Sequence, residues 1–254
     1  MEPILRVENL RKTFSQQGQA DFAAVNGIDF ELFPGECLAV IGESGSGKTT
    51  AVNLIARLLD ATSGSVFLDG REITHLRGRQ LRQVCKTMQM VFQTPADSFD
   101  PRRTLGDGIG ESLRNAGVSR KETRERVGEL LKKCGLSPEF ASRYPHQVSG
   151  GQCQRAAIAR ALAIEPKLLI CDEATSALDV TVQKEIIELL NALRSQQGRN
   201  LSILFICHDI SLVQQFADRV LVMYQGNIVE EGTPEDVIRH PENDYTKHLI
   251  DSVL

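Results

Sequence analysis

The chain has 254 residues, 41% of them hydrophobic and 24% charged, which suits one large globular α/β domain. A formal net charge of −4 gives no overall basic signal and argues against a nucleic-acid partner. The apolar runs at 168–171 and 201–207 are far short of the ~20 residues that cross a bilayer, and Met1-Glu2-Pro3 does not open like a signal peptide.

Residues 4–7 and 28–32 have the composition of short strands, and Pro34-Gly35 marks a turn. Cys37-Leu38-Ala39-Val40-Ile41 is an unbroken apolar run, as expected of a strand buried on both faces. A glycine-rich loop follows, then helical periodicity over 50–59 and a strand at 64–68 closed by Asp69-Gly70. From 96 to about 163 the pattern is mostly helical. At 120–134, Val127, Leu130, Leu131 and Cys134 recur at helical spacing, and the surrounding charges make a solvated face. Strands return at 168–171 and 203–207 around a helix at 182–194, an order that implies a parallel sheet with right-handed crossovers. Residues 220–224 and 227–230 flank Gln225-Gly226 as a terminal hairpin. The six cysteines (Cys37, Cys85, Cys134, Cys153, Cys171, Cys207) contain no C-x-x-C pair. They are expected to be reduced thiols packed as small apolar residues, not metal ligands or disulfides.

Gly42-Glu43-Ser44-Gly45-Ser46-Gly47-Lys48-Thr49 fits G-x-x-x-x-G-K-[ST] and lies between the buried strand and a helix. Glycines let backbone amides approach phosphate closely, and successive N–H groups with the following helix end form an anion nest. Lys48 can place its ammonium between the β- and γ-phosphates of a nucleotide. Thr49 can offer a hydroxyl to Mg²⁺, and Thr50 completes the nucleotide-binding set. A loop that merely turns the chain is the plainer alternative, and the strand–loop–helix context disfavours it.

Asp172-Glu173 ends the apolar run 168–171, at the strand edge where parallel sheets bind ligands. Alone, such a pair is usually the start of a surface helix. With the phosphate loop upstream, Asp172 is expected to reach Mg²⁺ directly or through a water. Glu173 would polarise the attacking water beyond the γ-phosphate.

Ser149-Gly150-Gly151-Gln152 lies 24 residues before Glu173 and opens a helix at 152–163, which would make a second anion site. Here the chain resembles the ATP-binding cassette (ABC) ATPases over essentially its whole length. The resemblance implies a P-loop NTPase core with an N-terminal antiparallel β-subdomain and a helical signature subdomain, all one domain over 1–254 with the helical part inserted at about 94–163. It implies ATP and Mg²⁺ as ligands and a head-to-tail dimer, in which each ATP lies between one chain's phosphate loop and the other's signature. Gln93 then matches the glutamine that contacts Mg²⁺ and the attacking water, and His208 the switch histidine of the γ-phosphate. Ser176-Ala177-Leu178-Asp179 matches the D-loop that crosses the interface, and Phe14, with Phe22 as rival, would stack on adenine. Val148, Ala174 and Cys207 depart from common family residues without removing a catalytic group.

Three stretches resemble the peptide/nickel importer subfamily: Gln89-Met90-Val91-Phe92-Gln93-Thr94-Pro95 with Ser98-Phe99-Asp100-Pro101-Arg102, then Val180-Thr181-Val182-Gln183 after the D-loop, then His240-Pro241 with Tyr245-Thr246. This implies an ATPase subunit on the cytoplasmic face of the inner membrane, driving uptake of peptides, nickel or metal chelates. Its partners would be a second ATPase chain, two transmembrane permease subunits and, through them, an extracellular substrate-binding protein. A soluble ABC ATPase powering an assembly such as a carbon–phosphorus lyase complex is the alternative; a P-loop kinase or GTPase is opposed by the signature and His208. No cysteine follows Cys207, so the cysteine-containing, cluster-binding C-terminal extension of many subfamily members is not expected.

Overall fold

The computed structural model describes residues 1–15, 21–175, 178–195 and 200–252. The chain begins with β1 (Leu5–Phe14), β2 (Phe22–Leu32), β3 (Cys37–Ile41), α1 (Lys48–Ile55), β4 (Ser63–Leu68), β5 (Arg71–Glu72), α2 (Gly78–Thr87) and β6 (Met88–Val91). Between β6 and the next strand come α3 (Leu105–Ile109), α4 (Glu111–Asn115), α5 (Arg120–Lys133) and α6 (Gly150–Leu162). Then follow β7 (Leu168–Asp172), α7 (Val180–Arg194), β8 (Ser202–Ile206), α8 (Ile210–Phe216), β9 (Arg219–Tyr224), β10 (Asn227–Gly232), α9 (Pro234–Arg239) and α10 (Asp244–Asp251).

Two sheets form. A four-stranded antiparallel sheet has the order β2-β1-β4-β5, and a six-stranded sheet has the order β10-β9-β3-β8-β7-β6. The second is parallel from β9 to β6, with β10 antiparallel at its edge. Every residue of β3, β7 and β8 is buried, and alternate side chains serve different layers. Cys37, Ala39 and Ile41 belong to one core cluster with residues of α3, α5, α6 and α7, whereas Leu38 and Val40 belong to a second with residues of β1, β2 and α1. Burial on both faces is why these strands read as continuous apolar runs.

The expected helices and central strands are present within a few residues of their expected ends. β1 and β2 run longer than the sequence suggested, because register shifts between Val7 and Leu10 and between Lys12 and Thr13 break the alternation of apolar residues. Neither α2 nor β6 was anticipated; α2 buries only Val84, so its apolar signal is thin. Cys85 lies on α2 and is exposed, unlike the other five cysteines, which are buried as expected. In the 94–163 stretch, α6 packs against α3 and α5, with Thr104, Ser119 and Ser149 capping α3, α5 and α6.

Candidate nucleotide-binding and hydrolysis site

β3 ends at Ile41, and the loop 42–47 turns the chain into α1. Gly42 has φ 147° and Gly47 has φ 105°, both in the region that favours glycine. A Cβ at Gly42 would sit 2.2 Å from the Met223 carbonyl oxygen, and one at Gly47 would sit 2.3 Å from that of Ala24. The loop is therefore seated against β9 and β2. It is braced again where Gly226 N–H donates to Ser46 O at 2.9 Å and Glu43 N–H donates to the Tyr245 hydroxyl at 2.9 Å.

Lys48 opens α1 and is buried, its Nζ donating to Gly42 O at 2.7 Å, Glu43 O at 2.8 Å and Ser46 Oγ at 3.3 Å. Burial lowers its pKa, and the nearby charges of Glu173 and Asp172 oppose that shift. Ser44, Gly45 and Thr49 are exposed and Thr50 half-buried, so the loop's rim is open to a ligand.

Asp172 ends β7, and its carboxyl pKa is pushed up to about 6, first by burial and then by Glu173, against the charges of Lys48 and His208. Its Oδ1 is buried and has no hydrogen-bond partner among the described residues. A buried carboxylate oxygen without a donor is what a cation satisfies, and Thr49 supplies an exposed hydroxyl at the start of α1. These residues fit Mg²⁺.

Glu173 takes a left-handed backbone, φ 48°, uncommon for a residue with a long side chain. Its N–H donates to Ile206 O at 3.2 Å, which seats it beside the end of β8. There its carboxylate meets Nε2 of His208, two residues beyond Ile206. His208 thus engages the residue expected to act as the base. Gln93 is exposed, two residues past the end of β6. The ends of β3, β7 and β8 together bring Lys48, Asp172, Glu173 and His208 into one electrostatic cluster.

Ser149 caps α6, its Oγ accepting from Gln152 N–H at 3.3 Å while Gln152 Oε1 accepts from Ser149 N–H at 3.0 Å. A Cβ on Gly151 would lie 2.5 Å from Val182 Cγ1, and one on Gly150 would lie 3.5 Å from Leu178 Cδ2. No hydrogen bond among the described residues joins 149–152 to 42–50. Asp179 caps α7 by accepting from Val182 N–H at 3.0 Å. Ser176 and Ala177 of the expected D-loop lie outside the described residues. Phe14 and Phe22 are both exposed and face each other across the β1–β2 ladder, with Lys12 Nζ 5.1 Å from the Phe14 ring centre. Sequence reasoning missed the Tyr245 and Gly226 braces, whose partners are remote in the chain; only the resemblance of the tail drew attention to Tyr245.

A family model described as "ABC transporter" matches residues 25–176. The oligopeptide transport ATP-binding protein OppF of Escherichia coli K12 is 47% identical over 91% of this chain and 69% of its own length. The glutathione import ATP-binding protein GsiA of the same strain is 43% identical over 99% of this chain, which spans 41% of that longer protein. Among solved structures, the dimeric post-hydrolysis ATP-binding cassette MJ0796 bound to ADP and Pi superimposes with a TM-score of 0.82 at 30% identity, covering 91% of this chain and 98% of that one. No helix among the described residues is long and apolar enough to cross a membrane. With its phosphate loop, acidic strand end and signature helix inside or beside the matched region, the chain belongs to the ABC transporter family.

Proposed function

We propose that this chain is the ATP-binding and ATP-hydrolysing subunit of an ABC importer that takes up peptides. In this reading residues 1–254 are one ABC ATPase domain, with the helical signature subdomain at about 94–163. It pairs with a second ATPase chain beneath two permease subunits on the cytoplasmic face of the inner membrane, and an extracellular binding protein feeds the permease. The observation that carries the reading is the convergence of Lys48, Asp172, Glu173 and His208 at neighbouring strand ends. The peptide substrate class is supported by the oligopeptide and glutathione importer relatives. They favour peptides over nickel, and nothing favours the soluble enzyme assembly.

In this reading ATP lies along 42–50 with its adenine on Phe14, or on Phe22 opposite it. Lys48 Nζ, now held by Gly42 O, Glu43 O and Ser46 Oγ, turns toward the β- and γ-phosphate oxygens. Thr49, Gln93 and Asp172 would hold Mg²⁺, which supplies positive charge beside the phosphates. His208 leaves Glu173 for the γ-phosphate, which frees the Glu173 carboxylate to take a proton from water. The water oxygen bonds to γ-phosphorus as the bond to the β–γ bridging oxygen breaks, and ADP departs with that electron pair.

Ser149, Gly150, Gly151 and Gln152 of the partner cover the γ-phosphate from the other side, and Asp179 lies at the same interface. The γ-phosphate binds the closed dimer better than the open one, so its arrival and loss switch the pair between states. Purification of the chain from native membranes tests the reading. Polytopic membrane subunits should copurify, and peptide-loaded binding protein should stimulate ATP hydrolysis in proteoliposomes. Copurification of soluble enzymes alone would refute the transport role.

A further inference from the structure

The C-terminal helix α10 reaches the phosphate loop through one side chain. The Tyr245 hydroxyl oxygen accepts the Glu43 N–H at 2.9 Å, joining positions 202 residues apart. The Tyr245 ring is half-buried and stacked on Tyr224, with centroids 4.0 Å apart and planes inclined by 26°. Tyr224 ends β9, just before the turn whose Gly226 N–H donates to Ser46 O. α10 also has anchors that do not involve the phenol. Asn243 Oδ1 accepts from Tyr245 N–H at 2.9 Å, and the Glu230 carboxylate of β10 accepts from Glu242 N–H at 2.9 Å and Asn243 N–H at 3.1 Å.

The phenol grips the residue whose carbonyl Lys48 also holds. Lys48 Nζ donates to Gly42 O and Glu43 O, while Glu43 N–H donates to Tyr245. An arriving triphosphate competes for the ammonium, so the loop loses part of the grip that shapes it. The phenol bond is not drawn into that competition, because its donor is a different group. Burial foremost raises the phenol's pKa, so the hydroxyl stays neutral at physiological pH.

We infer that Tyr245 is a positioning residue for nucleotide binding: its hydroxyl holds the Glu43 backbone so that the loop keeps its phosphate-accepting shape once Lys48 turns to the ligand. Tyr245 touches no reacting atom and acts through the loop. The inference rests on the ATPase reading above and adds to it a residue from the C-terminal helix.

Tyr245→Phe keeps the ring, its stacking and the anchors of α10, and removes only the hydroxyl that accepts the Glu43 N–H. Glu43 is exposed, so water can take over its N–H in the variant. The isolated chain is titrated with a fluorescent ATP analogue, and the assembled complex is assayed for KM and kcat, with Lys48→Ala measured alongside. Both Kd and KM should rise about two- to tenfold, the weight of one net hydrogen bond, with kcat almost unchanged and the nucleotide-free melting temperature lowered by no more than a few °C. Tyr245→Leu, which also loses the stacking, should bind more weakly still. Wild-type affinity in Tyr245→Phe, with Lys48→Ala impaired, would overturn the role of the tyrosine and leave the ATPase reading standing. A fall in melting temperature and kcat with KM unchanged would reduce Tyr245 to a structural residue. Equal binding by wild type and Lys48→Ala would end both readings.

Discussion

Asp172 is placed where its charge is costly until a cation arrives, and Asp172→Asn measures that cost. The carboxyl is buried, its pKa is about 6 against an ordinary 3.8, and its Oδ1 lacks a donor among the described residues. The folded value lies above the unfolded one. The stabilisation linked to the protonated acid is therefore complete below pH 3.8 and is lost as pH rises through about 6. At pH 8, with neither nucleotide nor metal, the ionised group destabilises the fold by up to about 3 kcal/mol, from two pKa units at about 1.4 kcal/mol each. Asparagine has the same shape and no charge. The variant should melt several °C above wild type at pH 8, at about 2–4 °C per kcal/mol for a chain this size. Its advantage should shrink steadily as pH falls below 6. Thermal unfolding followed by circular dichroism from pH 5 to 8, in chelator, reads both. In Mg²⁺ and ATP the order should reverse, because the wild-type carboxylate gains its cation. A variant less stable than wild type at pH 8 without Mg²⁺, or a pH-independent difference, would refute the reasoning.

Gly47→Ala must hold a Cβ at φ 105°, 2.3 Å from the Ala24 carbonyl oxygen. It should lower the melting temperature by several °C and abolish ATP binding, with at least about 1–2 kcal/mol coming from the backbone alone. Calorimetry and nucleotide titration check this, and normal binding would contradict it. Glu173→Gln should bind ATP yet lose at least about a hundredfold in turnover, the usual weight of a general base; near-normal hydrolysis would remove the base assignment. Ser149→Arg should leave the ATP affinity of the isolated chain intact and block hydrolysis in the assembled complex. Strong loss of affinity in the isolated chain would place the signature's action within one chain.

The parts of the site legible in the sequence are those whose residue types follow from local geometry. Gly42 and Gly47 stand where a Cβ would strike a carbonyl, so the loop could be read from glycine spacing. β3, β7 and β8 are buried on both faces, so each reads as an apolar run, and the residues just past β7 and β8 could be placed at the sheet's edge. β1 and β2 were only half legible, because register shifts scatter their inward side chains. α2 hid because it buries one residue, and β6 because four residues carry too short a pattern. The contact of Glu43 with Tyr245 had no local signature, since it spans 202 positions. The pairing of His208 with Glu173 was equally hidden, because it depends on the left-handed turn after β7 that brings the carboxylate to the end of β8.

The most direct test is a structure of the Glu173→Gln chain, assembled with its partner subunits, at saturating Mg²⁺ and ATP. The γ-phosphate should contact Lys48 of one ATPase subunit and the signature serine of the facing one, and where a second copy of this chain faces it that serine is Ser149. A γ-phosphate gripped by the Lys48 loop alone, with the facing signature remote in a complex whose wild-type form hydrolyses ATP, would contradict the account.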